Sequence, residues 1–272
     1  MVKFYTSNHT YDSPLPTVSL AYFLRYPNPY SKHVISTDTI SRSFSADDQT
    51  LTTVRLHLKR SKLPQPILKL LPRSMTGASA TGESKSYILE TSTVDMRNGT
   101  MATESRNLEW VGVLSVIERQ VYRGVRPGQF SDPPSSVSDF TIKEPTATYF
   151  ESGGSTEVQT TVTLRSPFGE QRWRARADRN KSKSATAAEA EEEAPKQSFF
   201  KSWSTQSLQR SIELIGLKRA QTSQPNAKEG MKVVLERLRS GGLVAVLEGM
   251  RRDSKGAWGK RMVAAGGEEY EE

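Results

Sequence analysis

The run Arg25-Tyr-Pro-Asn-Pro-Tyr-Ser-Lys-His-Val34 sets a guanidinium, an ammonium and an imidazole around two prolines within ten residues. Proline holds φ near −65°, so the segment can stiffen one wall of an anion site. Further cations stand at the ends of what read as strands and helices. With Arg25 and His33, they make Arg25, His33, Lys59, Lys62 and Arg219 the candidates to meet an anion, drawn from different elements. Each also has a purely structural reading. Arg25 can serve a helix C-terminus, His33 can be a satisfied strand residue, and Lys59 and Lys62 can be solvated strand-end charges. Beside them, residues 62–74 set an apolar patch of Ile67, Leu68, Leu70 and Leu71 among three prolines. That patch is too short for a core helix and too apolar for an ordinary loop.

Other chemistries find little support. His9, His33 and His57 lie in separate elements and lack metal-ligand spacing. Nucleophile-elbow, phosphate-loop and zinc-protease motifs do not occur, and the run Glu189–Glu193 is too low in complexity to be a catalytic pair. With no cysteine there is no disulfide framework, thiolate zinc site or cysteine nucleophile. A formal charge of +8 points to an acidic partner: phosphate, nucleic acid or an anionic membrane surface. Nucleic acid is disfavoured, because Trp110, Trp173, Trp203 and Trp258 are scattered and form no stacking platform. No apolar run is long enough to span a bilayer. Neither a signal-peptide core nor an Arg-rich presequence is expected at the N-terminus.

The elements that must position these cations follow from periodicity. Val2–Thr6 alternates as a strand, and Ser13-Pro14 opens a short helix carrying Val18, Ala21 and Tyr22 that ends before Pro27. His33–Ser43 and Leu51–Lys59 read as strands around a turn at Ser45–Asp48. In the second, Val54, Leu56 and Leu58 face one way, and Arg55, His57 and Lys59 the other. Strands resume at Ser86–Val94, Thr100–Asn107, Trp110–Tyr122 and Glu157–Arg165, a mostly antiparallel meander with one early helix. Hydrophobic content of 35% is low, which suits an unpacked insertion at about 174–197 with blocks of opposite charge. Helical periodicity returns from Phe199 to Ala220. Pro225 is expected to break or kink that helix, at a cost of about 3 kcal/mol inside a continuous one. A second segment would run from Pro225 to Leu238 and close at Ser240-Gly-Gly242. One domain of 1–240 followed by a flexible charged tail of 241–272 is the resulting expectation.

The decapeptide Arg25–Val34 closely resembles the N-terminal signature of the PRELI/slowmo family of mitochondrial lipid carriers. It matches the fungal-like, phosphatidic-acid-carrying Ups-type branch nearly residue for residue. Asp38-Thr-Ile-Ser-Arg42, Lys62-Leu-Pro64, Thr100-Met101, Arg106-Asn-Leu108 and Gly230-Met231 follow in family order. The resemblance implies an α+β fold: a curved antiparallel β-sheet gripping a long C-terminal helix around a lipid cavity, with one short N-terminal helix and a lid loop. It implies headgroup roles for Arg25 and His33, basic pocket and lid-hinge roles for Lys59 and Lys62, and a helix-borne cation at Arg219. Ser223 and Asn226 depart from the family's polar amide and basic residue.

The implied activity is non-enzymatic, without cofactor or metal. Phosphatidic acid would be carried across the mitochondrial intermembrane space for cardiolipin synthesis, with an anionic membrane surface and a small twin C-x9-C helical protein as partners. Exposing roughly 30 methylenes at ~0.8 kcal/mol each would cost ~24 kcal/mol, so a carrier needs an enclosed apolar cavity. A phosphate monoester is best met by several cations in a partly desolvated pocket. Ile67, Leu68, Leu70 and Leu71 would then be the lid's membrane contacts, beside Lys62, Lys69 and Arg73. The alternatives are a carrier of another phospholipid such as phosphatidylserine, a helix-grip enzyme acting on a small hydrophobic substrate, or a basic scaffold for RNA or membranes.

Overall fold

The structure, a computed structural model, describes residues 2–62, 83–125, 154–167 and 205–265. Strand β1 (Val2–Tyr11) leads into helix α1 (Leu15–Phe23). Five strands follow, β2 (Val34–Ser45), β3 (Thr50–Lys62), β4 (Glu83–Asp95), β5 (Thr100–Asn107) and β6 (Ser115–Val125). Strand β7 (Ser155–Arg165) and the long helix α2 (Thr205–Ala265) complete the chain. The seven strands form one antiparallel sheet in the order β1-β7-β6-β5-β4-β3-β2. Strands β2 to β7 are thus a simple meander, and β1 returns to pair with β7 from Val2↔Arg165 to Tyr11↔Thr156. The turn between β4 and β5 needs Gly99, whose φ of 61° only glycine adopts without strain.

Apolar side chains of α1, α2 and one end of the sheet form the main core. Val18, Ala21 and Tyr22 of α1 meet Met231, Val234, Leu235 and Val246 of α2, with Met101, Tyr122 and Val158 from the strands. Each fully buried aliphatic side chain there contributes about 1.5–3 kcal/mol. A second cluster, Val113 and Ile212 with Trp110, Leu114 and Ile215, fixes the other end of α2. The helix is therefore held at both ends, across β1 and β7 and against α1.

Two sequence expectations change. Helix α2 passes straight through Pro225, and the residues that leave helical geometry are Gly241 and Gly242. Proline forfeits one hydrogen bond to the carbonyl four residues back. That carbonyl belongs to Gln221, and both residues are exposed, so water can replace the lost donor. Second, Gly241-Gly242 does not end the helix. It bends it, and Val246 beyond the bend is fully buried in the main core. The face of β3 left open by the alternation is also settled, and the charged one is inner: Arg55 and His57 are buried, while Val54, Leu56 and Leu58 are only partly so.

Candidate functional site

The decapeptide is built as a rigid corner. Asn28 Nδ2 donates to the Arg25 carbonyl at 2.6 Å, and Asn28 Oδ1 accepts from the Tyr30 amide at 2.8 Å. The Tyr26–Pro27 bond is cis. Helix α2 presses on this corner at Gly230, where an added Cβ would lie 2.9 Å from both terminal atoms of the Asn28 side chain. Gly230 is what lets the helix approach the turn so closely.

Behind the corner lies a cavity of about 60 Å³. Its walls come from β1 (His9, Tyr11), α1 and the corner (Tyr22, Arg25, Tyr26), the sheet (Glu90, Gln120, Tyr122) and α2 (Lys228, Met231). At roughly 10–15 Å³ per water-sized position, it holds a handful of waters or one small polar group. This cavity is too small to be the apolar enclosure expected for the lipid chains. The lining is mostly polar, with Asn28, Ser31, Thr103, Ser105 and Glu118 beside the residues above, while the buried Thr53, Arg55, His57 and Ser92 of β3 and β4 lie outside it.

Glu90 organises this wall. Its carboxylate accepts from Arg25 Nη2 and from Arg55, whose Nε lies at 2.9 Å. His57 Nε2 sits 3.2 Å away but off the line of a hydrogen bond, while its Nδ1 is 2.9 Å from the Thr37 hydroxyl. Burial alone would raise the Glu90 carboxyl, but Arg25 first, then His57 and Arg55, hold it well below the usual range. Burial likewise opposes the charge on Arg25, and Glu90 with the surrounding tyrosines outweighs it, so the guanidinium stays charged. Burial keeps His57 neutral despite Glu90. Two guanidiniums thus share the Glu90 carboxylate, and a second carboxylate, Glu118, also lines the cavity. The Arg25 guanidinium also stacks on Tyr22 at 3.7 Å and on Tyr26 at 4.6 Å.

Opposite this wall stands His9, lowered to about 4 by burial first and then by the charges of Lys228 and Lys232. Its Nε2 is buried without a hydrogen-bond partner. Burial drives the Tyr11, Tyr22 and Tyr122 hydroxyls upward, so all three line the cavity as neutral phenols.

Of the cations expected from sequence, Arg25 lines the cavity but is engaged by Glu90 and by the Tyr22 carbonyl at 3.0 Å. His33, Lys59 and Arg219 come together outside it. His33 is lowered to about 4 by partial enclosure and by the charges of Lys59 and Arg219. Tyr26 connects the two groups, since it lines the cavity and also lies in the field of Lys59. Lys62 ends β3 opposite Glu83, with its side chain outside the described ones. Ile67, Leu68, Leu70 and Leu71 lie outside the described residues altogether. Sequence reasoning missed Glu90, Arg55, His9 and Lys228. The signal for Arg55 was its place beside His57 and Lys59 on one face of β3.

A curved sheet holding a long helix over a small charged cavity defines a helix-grip ligand-binding protein, with no metal-binding cluster among the described residues. The chain belongs to the PRELI-like family, whose profile matches residues 16–127. It is 38% identical over 144 residues to Protein UPS1, mitochondrial, of Saccharomyces cerevisiae, covering 53% of this chain and 73% of that one. PRELI domain-containing protein 1, mitochondrial, of Bos taurus is 37% identical over 123 residues, 45% of this chain and 52% of its own. Protein ups1 homolog of Schizosaccharomyces pombe is 41% identical over 102 residues, 38% of this chain and 53% of its own. The match thus spans only about half the length of the last two. The crystal structure of Ara h 8.0201 overlaps 87% of this chain and 99% of its own at 11% identity. Its TM-score of 0.35 is too low to carry an inference.

Proposed function

We propose that this protein is a non-enzymatic carrier of phosphatidic acid in the mitochondrial intermembrane space, supplying precursor for cardiolipin synthesis. Family membership and relatives named as mitochondrial proteins support the location and the lipid-transfer class. The observation that carries the choice of an anionic headgroup is the gathering of His33, Lys59 and Arg219 beside a cavity that Arg25 and Lys228 line. A phosphate monoester brings between one and two negative charges and strong acceptors, which such a cavity and the rim of His33, Lys59 and Arg219 would attract.

The 60 Å³ cavity suits a headgroup and not the acyl chains. Two chains have roughly 30 methylenes and need a larger apolar enclosure. In this reading Ile67, Leu68, Leu70 and Leu71 are the lid contacts, Lys62 is the hinge cation, and a small twin C-x9-C protein stabilises the carrier. Transfer between donor and acceptor vesicles by the purified protein with that partner tests the proposal. Movement of intact phosphatidic acid in preference to phosphatidylserine is expected. Chemical alteration of the lipid, or equal transfer of phosphatidylserine, would overturn it.

A further inference from the structure

Beyond the Gly241–Gly242 bend, the last segment of α2 has one face held down and one face bare. Val246 and Met250 join the main core, and Asp253 Oδ2 accepts from Arg237 Nη1 at 2.8 Å. At Gly249 an added Cβ would lie 2.5 Å from the Arg237 guanidinium, so the segment fits closely against the preceding turns. At about 100° per residue these anchors share one side of the helix. Leu243, Val244 and Leu247 share the arc beside it, exposed by 50%, 65% and 51%. Arg251 falls within the same outward arc, with Arg252 and Glu248 on its flank, all three exposed.

Three large aliphatic side chains within little more than one turn, on an arc beside that of the anchors, form an unpartnered apolar strip. The charge around it indicates what covers it. Among the described side chains, Arg251 lies within the strip's own arc and Arg252 on its flank, and of the two nearby carboxylates, Glu248 and Asp253, Asp253 is already paired with Arg237. An apolar strip bordered by cations on a helix lying along the surface is the pattern that sinks into the headgroup boundary of an anionic bilayer.

We infer that residues 243–253 are a membrane-docking segment for an anionic lipid surface. Leu243, Val244 and Leu247 enter the interface while Arg251 and Arg252 hold phosphates. This surface is separate from the cavity and does not depend on which lipid the cavity takes. Its role is to hold the protein on the membrane, with Arg237–Asp253 setting the helix's pose.

Flotation of the full chain with vesicles of phosphatidylcholine containing 30% phosphatidylglycerol, and with pure phosphatidylcholine, tests it. Wild type is expected to float with the anionic vesicles and far less with neutral ones. The triple variant Leu243→Asp/Val244→Asp/Leu247→Asp and the double variant Arg251→Glu/Arg252→Glu are each expected to lower the bound fraction at least about fivefold. All five positions are exposed, so unchanged circular dichroism should accompany the loss. Equal flotation of wild type and both variants, or equal binding to neutral vesicles, would overturn the inference. Native mass spectrometry of lipid carried by the same variants keeps this result distinct from the carrier proposal, because cargo content should not change.

Discussion

Arg25 Nη2 donates to Glu90 Oε2 across 65 positions of sequence, and the pair is largely buried, with side chains 13% and 1% exposed. Arg55 shares the same carboxylate. Removing one partner of a buried pair strands the other charge, at about 3–5 kcal/mol. Glu90→Ala strands two guanidiniums and is expected to lower stability by about that amount in urea denaturation. A loss under ~1 kcal/mol would show that water reaches the cluster. Arg25→Glu is a poor probe of ligand binding, since it sets a second carboxylate against Glu90.

The outer cations are better probes of the ligand. Lys59 is only half-buried, and its charge reaches both His33 on the rim and Tyr26 in the cavity wall. Lys59→Glu should cut phosphatidic acid transfer about tenfold, equivalent to about 1.4 kcal/mol, while leaving the unfolding midpoint nearly unchanged. The effect should shrink at high salt, where exposed charges are screened. Transfer assays at two ionic strengths decide it, and unchanged transfer would remove Lys59 from the headgroup site.

Much of the sheet was legible because alternation and turn residues coincide there. Thr100–Asn107 has the expected bounds, and the turn expected at Ser45–Asp48 joins β2 to β3 at residues 46–49. Alternation defines two faces of a strand without saying which is buried, so the inward turn of Arg55 and His57 was hidden. Glu90 sits in an ordinary strand, and nothing local marks it as the partner of an arginine so distant in sequence. Helix α2 was misread at Pro225 because a proline's cost depends on whether water can serve the freed carbonyl. Only the fold shows that Gln221 and Pro225 face solvent.

That exposure makes Pro225 a stability test. Proline inside a helix is about 3 kcal/mol worse than alanine, and tertiary packing holds α2 at both ends regardless. Pro225→Ala is expected to stabilise the protein by about 1–3 kcal/mol, seen as a higher denaturant midpoint with an unchanged slope. A destabilised variant would mean that the proline ring makes a contact the helix needs.

At Gly230 the opposite sign is expected. Alanine gains about 1 kcal/mol of helix propensity over glycine, but its Cβ would overlap the Asn28 side chain. Asn28 is held by two hydrogen bonds of the corner and cannot yield easily. Overpacking typically costs 1–3 kcal/mol, so Gly230→Ala should be net destabilising by roughly 1 kcal/mol. In a double-mutant cycle with Asn28→Ala the cost of Gly230→Ala should disappear. Simple additivity of the two changes would rule out this contact.

His9 gives the pH dependence its sign. Its folded value of about 4 lies below the ordinary 6.5, so between those two values the unfolded chain holds a proton that the folded protein does not. Stability rises with pH wherever the unfolded state binds more protons. The contribution is complete above pH 6.5, falls as pH drops toward 4, and changes no further below that. Glu90, held well below the usual range, loses its contribution only in stronger acid. His33 acts in the same direction as His9 over the same window, but its exposure and solvent screening make it smaller. Denaturation midpoints from pH 7 to 4 should therefore slope less steeply for His9→Gln than for wild type, by no more than about 3 kcal/mol in total. Identical slopes would mean that His9 titrates normally. A phosphate monoester in the cavity would oppose the fields of Lys228 and Lys232 and favour the protonated imidazole. The phosphate titrates in the same window, so the readout is the difference in slope between wild type and His9→Gln, which should shrink when both are loaded with phosphatidic acid and so tie the titration to the cavity.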